Sequence, residues 1–205
     1  MKKTILAVWL FFCAGEIFVP YFLGKRIQNY SSLHTVMSAV GAKENGIFSI
    51  LYRSWLIIFG TFTSILFYQL RGMYDYGSYK ASIIIVICFA LLGCVLCGIF
   101  PSEMTKDFSS TSAKIHAVAV VIAFSALMFV PLLLRKIYII NNNRIGNIMS
   151  IIAFLISIVI FILQVVSERD QFSATFIGYT GLWQRLYLIN LYFYIGMTMI
   201  NICPK

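Results

Sequence analysis

Six runs of about twenty predominantly apolar residues decide what this chain can fold into. They cover residues 4–23, 49–69, 80–100, 114–134, 146–166 and 183–203. At about 1.5 Å per residue, each is long enough to cross the hydrocarbon core of a bilayer as a helix. In lipid every backbone N–H and C=O must be paired within the segment, so such runs become helices. Only 11% of the residues are charged, against about 25% in a soluble domain. The runs use up most of the 205 residues, which leaves no room for a separate soluble domain. The expectation is one all-α domain over residues 1–205: a polytopic six-transmembrane-helix bundle in the cell (plasma) membrane.

The first run, in MKKTILAVWLFFCAGE, has the look of a secretory signal, with two lysines before an apolar stretch. No A-x-A cleavage site follows, and Phe11 and Phe12 are too bulky before Cys13 for lipoprotein-type cleavage. The run also continues past Glu16 to Leu23, beyond a usual signal core. It is therefore read as the first membrane helix. Pro20 lacks an N–H, which frees the carbonyl of Glu16, and it is expected to bend this helix.

The five cysteines, Cys13, Cys88, Cys94, Cys97 and Cys203, all sit in apolar segments. They read as small buried hydrophobes rather than a disulfide framework. Cys94 and Cys97 have C-x-x-C spacing, but no neighbouring charge is there to activate a thiolate, so packing within helix 3 is expected.

The net charge is +9, and the basic residues are scattered singly through short loops. That pattern suits topology and lipid headgroups. A nucleic-acid partner is not expected, because no basic stripe with interleaved aromatics exists. With the N-terminus inside, the 16 basic residues divide evenly between the two sides, so their number does not set the orientation. Loop 4, RKIYIINNNR, is basic without an acid. It favours both termini on the cytoplasmic side.

Loop 1, about residues 24–48, contains SSLHTVMSAVGA, in which Leu33, Val36, Met37 and Val40 recur at helical spacing. Ser31 or Ser32 could cap the start and Gly41 the end. The spacing predicts a short amphipathic helix, lying on the membrane surface or folded over the bundle. His34 near its start is read as a surface histidine. Gly60 and Ser64 in helix 2, and Gly93, Cys94, Cys97 and Gly98 in helix 3, provide small faces for close helix approach. The run Ser109–Ser112 supplies an N-cap for helix 4.

Alternation of the six spans places Glu16, Arg53, Glu103, His116 and Arg185 in one half of the membrane. Glu16 lies about 10 Å below the end of helix 1, and Arg53 lies at a similar depth in helix 2. A lone charge at that depth costs at least ~2.5 kcal/mol, so the two are expected to pair or to share a water-filled pocket. One reading is a polar brace that locks the helices. The other is a pocket open to one face, with Glu103 at its rim, suited to an anionic or zwitterionic ligand such as a lipid headgroup. Two histidines fall short of the three protein ligands of a catalytic zinc, so neither a metal nor a cofactor is expected.

The series HTVMSAVGA, YRSWLIIFG, GIFPSE, the helix-4 histidine in KIHA, and GLWQR resembles the bacterial membrane proteins grouped as domain of unknown function 998. The resemblance covers nearly the whole chain. It implies a six-helix integral membrane fold and no settled activity. The FPSE segment, His116 and GLWQR match the family's recognisable positions.

Three functions stay open. The chain is a membrane protein that binds or transports a lipid or small ligand. Or it is a membrane enzyme acting on lipid or a lipid-linked group, with His116 and a carboxylate as acid and base. Or it is a non-catalytic subunit or immunity-type partner of another membrane protein.

Overall fold

The computed structural model describes residues 2–103 and 110–202. Ser109 of the expected cap and Cys203 lie outside the described residues. Six long helices dominate: α1 (Lys2–Gly24), α2 (Ile47–Leu70), α3 (Gly77–Ile99), α4 (Thr111–Ile140), α5 (Arg144–Ser167) and α6 (Thr180–Ile202). No strand occurs among the described residues. Five helices, α1 to α5, are long and apolar enough to cross a membrane, so this is a multi-pass membrane protein. The exception, α6, carries Gln184, Arg185 and Asn190, and most of its residues are buried by protein. Gln184 and Arg185 are tolerable because protein buries them, and the half-buried Asn190 because its amide donates to Ala153 O and Ser157 Oγ.

Each helix packs on its chain neighbours, and α6 closes the ring against α1. Aromatic side chains fill the middle. Trp9 meets Phe67 and Tyr192 edge-on, while its indole N–H donates to Thr63 at 2.9 Å. Phe124 stacks on Tyr187. The outer faces expose residues such as Phe11, Ile65, Ile84 and Ile162, as a lipid-facing surface should.

Several local rules hold. Ser110 caps α4 by accepting from the Ala113 amide at 3.1 Å, and Asn143 caps α5 by accepting from Gly146 at 2.9 Å. Pro131 falls just after a break in α4 at Met128 and Phe129, where a proline is tolerated at the start of the second half, Val130–Ile140. Helix α1 continues unbroken through Pro20.

Two expectations need correction. Residues 135–140 of the basic loop are helical, and only Asn141–Asn143 turn the chain. Loop 1 holds no amphipathic α-helix. A single 3-10 turn, Met37–Gly41, replaces it, followed by another at Lys43–Asn45. Of the apolar set, Met37 and Val40 are buried, together with Ala39 and Ala42, and point into protein rather than at a membrane surface, whereas Val36 is half-buried and Leu33 is exposed. The loop plugs one end of the ring. Ser102 donates to Ser38 O at 2.7 Å, Ser49 to Gly41 O at 2.7 Å, and the Leu182 amide to Leu33 O at 3.0 Å. His34 is exposed, its ring set edge-on against Tyr179.

Glycine sets the α2–α3 spacing. A Cβ at Gly60 would lie 2.5 Å from the Ala90 carbonyl oxygen, and one at Gly98 would lie 2.8 Å from Arg53 O. Alanine gains about 1 kcal/mol of helix propensity over glycine. Overpacking against backbone costs about 1–3 kcal/mol. Gly60→Ala is therefore expected to lower the melting temperature in detergent micelles, where propensity alone would raise it.

Candidate functional site

A cavity of about 30 Å³ lies at the centre of the ring, beneath the loop 1 plug. Glu16 of α1, Tyr52 of α2, His116 of α4, and Gln184 and Tyr192 of α6 supply its polar wall, and Met37 and Ser38 of loop 1 close it. Such a volume admits one or two water molecules.

Glu16 is 3% exposed. Its carboxylate accepts from the Tyr52 hydroxyl at 3.2 Å and from the Trp55 indole N–H at 3.0 Å. Two neutral donors therefore hold it, and no described cation stands within ion-pairing distance.

His116 is 6% exposed. Its Nδ1 lies 2.9 Å from Phe100 O, a pure acceptor, so Nδ1 carries the hydrogen and donates. Nε2 is then an acceptor. It is buried without a protein partner, and so is the Tyr192 hydroxyl. The cavity thus gathers one carboxylate and two polar atoms whose hydrogen bonding the protein leaves open.

Of the five residues singled out in the sequence, Glu16 and His116 meet in this cavity, whereas Arg53, Glu103 and Arg185 are not in its lining. The expected pairing of Glu16 with Arg53 does not form. Arg53 Nε donates to Gly98 O at 2.7 Å, and Nη2 to Ile99 O at 3.0 Å. It binds the last carbonyls of α3, which a helix end leaves without partners.

Arg185 is 8% exposed. Nη1 donates to Ser32 O at 2.6 Å and to Gly181 O at 2.8 Å, and Nη2 to the Tyr30 hydroxyl at 2.7 Å. It ties loop 1 to the start of α6. Burial pushes the Tyr30 phenol above its ordinary pKa, against the pull of Arg185. Glu103 accepts from the Ser110 amide at 3.2 Å, and Ser112 donates to Pro101 O at 3.0 Å. Pro101 and Glu103 are thereby tied to the start of α4, close to where the Phe100 carbonyl meets His116.

Sequence reasoning missed Tyr52, Trp55, Gln184 and Tyr192. The first three lie inside the very motifs YRSW and GLWQR that drew notice to the arginines. Gln184 Oε1 accepts from the Met37 amide at 2.6 Å, which anchors the plug. Cys94 and Cys97 are buried, free and part of the cavity wall. Helix α3 takes a π-helical course over Phe89–Leu96, and Phe89, Gly93 and Cys94 of that stretch face the cavity. Among the described residues, no three His, Cys, Asp or Glu side chains gather as metal ligands.

No curated protein and no solved structure matches the chain. The family described as "Protein of unknown function (DUF998)" matches it over residues 6–200, and the chain belongs to that family.

Proposed function

We propose that this is a six-span plasma-membrane protein that binds a small zwitterionic or neutral polar solute in the chamber between Glu16 and His116. The sixth span is α6, whose polar residues are sheltered by its neighbours. Both termini are cytoplasmic, because the turn at Asn141–Asn143 is flanked by Arg135, Lys136 and Arg144 without an acid.

The observation that carries this reading is the pair of unpartnered atoms, His116 Nε2 and the Tyr192 hydroxyl, in the same wall as the Glu16 carboxylate. Buried polar groups without partners cost about 1–3 kcal/mol each, which a polar guest recovers. The ligand class follows from what the chamber lacks. An anion would need arginines, and both candidates are engaged by backbone carbonyls outside the lining. An ammonium group instead finds the Glu16 carboxylate and the rings of Tyr52, Phe89, Phe124 and Tyr192. A guest larger than water requires a wall to move. The π-helical stretch of α3 suits that role, since such stretches carry an irregular hydrogen-bond ladder and recur at functional sites.

The test is a melting-shift comparison of ammonium-bearing, neutral and anionic solutes on the purified protein. Ammonium-bearing solutes are expected to stabilise the wild type and to lose that effect in a folded Glu16→Gln variant. Strongest stabilisation by anions would return the site to the arginines.

A second reading is supported by the meeting of His116 and Glu16 in one cavity: acid–base chemistry on a lipid-linked group. Turnover of added membrane lipids that disappears in His116→Ala at unchanged melting temperature would select it.

A further inference from the structure

The half of the bundle opposite the loop 1 plug holds a second feature, independent of the chamber. A groove of about 370 Å³ runs between α5 and α6, walled by Met149, Ile152, Ile156, Phe193 and Met197. At Tyr138 and Asn143 it meets a cavity of about 220 Å³ lined by Asn142, Arg144 and Asn147. We propose that this continuous surface binds one anionic phospholipid, its acyl chain in the groove and its phosphate at Arg144 and the asparagine turn.

Length is the first argument. From Ile145 to Ile156 the groove follows α5 for about 16 Å, at 1.5 Å per residue. That is close to half of the ~30 Å hydrocarbon core, the depth of one leaflet. The polar end therefore sits at the interface and the apolar end near the midplane.

The polar atoms beneath the groove are the second argument. Asn190 donates to Ala153 O at 2.9 Å and to Ser157 Oγ at 2.9 Å, and Ser150 and Tyr194 share a hydrogen bond of 2.7 Å. With these groups satisfied internally, the groove offers an apolar surface and asks for no hydrogen-bonding guest along its length. Ile145, Met149 and Phe193 are exposed there.

Charge is the third argument. Arg135, Lys136 and Arg144 stand within ten residues of one another, and no Asp or Glu occurs between Asp107 and Glu168 or anywhere in α6. Glu168 follows the far end of α5. On the loop that shares this end of the bundle, Asp75 is bound by Lys80. The groove's three helices thus present cations at one interface with no carboxylate to oppose them. Arg135 is held by Asn147, its Nε donating at 2.5 Å; of the two exposed cations, Lys136 and Arg144, it is Arg144 that lines the polar cavity and is placed to meet a phosphate. A second copy of this chain would bring the same cations to the same place and be repelled.

The experiment is native mass spectrometry of the full chain released from micelles holding equal amounts of phosphatidylglycerol and phosphatidylcholine. The wild type is expected to retain phosphatidylglycerol at least about five-fold over phosphatidylcholine, the contribution of one basic residue beside an anionic lipid. Arg144→Gln should bring the ratio close to one. Ile152→Trp, a substitution at a lipid-facing position, should reduce retention of both lipids. Glycerol phosphate, which lacks acyl chains, should not compete. Equal retention of the two lipids by the wild type, or an unchanged preference in Arg144→Gln, overturns the proposal. So does competition by glycerol phosphate, which would mark a free-phosphate site. A dimer abolished by Ile152→Trp overturns it too, in favour of a second copy in the groove.

Discussion

Arg185→Met is expected to destabilise the bundle by about 3–5 kcal/mol, since hydrogen bonds to a charged group are worth about 1.5–3 kcal/mol each and do not add fully. The guanidinium satisfies carbonyls of loop 1 and of α6 together with the Tyr30 hydroxyl, all from one buried position. Methionine keeps the volume and removes every donor. For a chain of this size each kcal/mol lowers the melting temperature by about 2–4 °C, so a fall of about 10 °C is expected in detergent. Arg185→Lys should rescue little, because a single ammonium cannot reproduce a planar fork that reaches three oxygens at fixed angles. Hydrogen exchange should rise most over residues 30–42, the stretch the arginine pins. A shift within 2 °C, or exchange that rises evenly throughout, would mean that the plug is held by its buried apolar residues alone.

The second large effect is a pattern of coupling. Tyr52→Phe is expected to cost about 1.5–3 kcal/mol, because it withdraws a donor from a buried carboxylate. In a Glu16→Leu background the same change should cost at least ~1 kcal/mol less, since the acceptor is gone. Arg53→Gln should behave differently. Its loss leaves the carbonyls of Gly98 and Ile99 unpaired whether or not Glu16 is present. Combined with Glu16→Leu it should add within ~0.5 kcal/mol. Chemical denaturation of the wild type, the three single variants and the two doubles reads this out. Strong coupling between positions 16 and 53, with none between 16 and 52, would restore the ion pair that the burial cost of two charges first suggested.

The helices were legible because lipid leaves the backbone no alternative. The first run was expected over 4–23 and the helix spans Lys2–Gly24. Loop 1 was legible in period but not in setting. Its apolar residues recur as in a helix, yet the surface they meet belongs to Gln184 and its neighbours, far along the chain. The site shows the same limit in another form. Charge and depth singled out Glu16 and His116, which meet in the cavity, and equally Arg53 and Arg185, which do not line it. Depth follows from position along a helix. Direction does not, since adjacent residues point about 100° apart. Tyr52 and Gln184 sit one step from those arginines and face the chamber instead.

The seal over the chamber has a timetable. Met37 is fastened by Gln184, 147 positions later in the chain. At ~5–20 residues per second of synthesis, the stopper is made about 7–30 s before its catch. Until α6 arrives the ring is an open arc, and Glu16 has α2 beside it but no wall on its other flank. The nascent protein therefore passes through an interval in which its most deeply set carboxylate faces the bilayer or the insertion machinery. Trp55 and Tyr52, which are made within 40 residues of Glu16, are the groups on hand to shelter it during that interval.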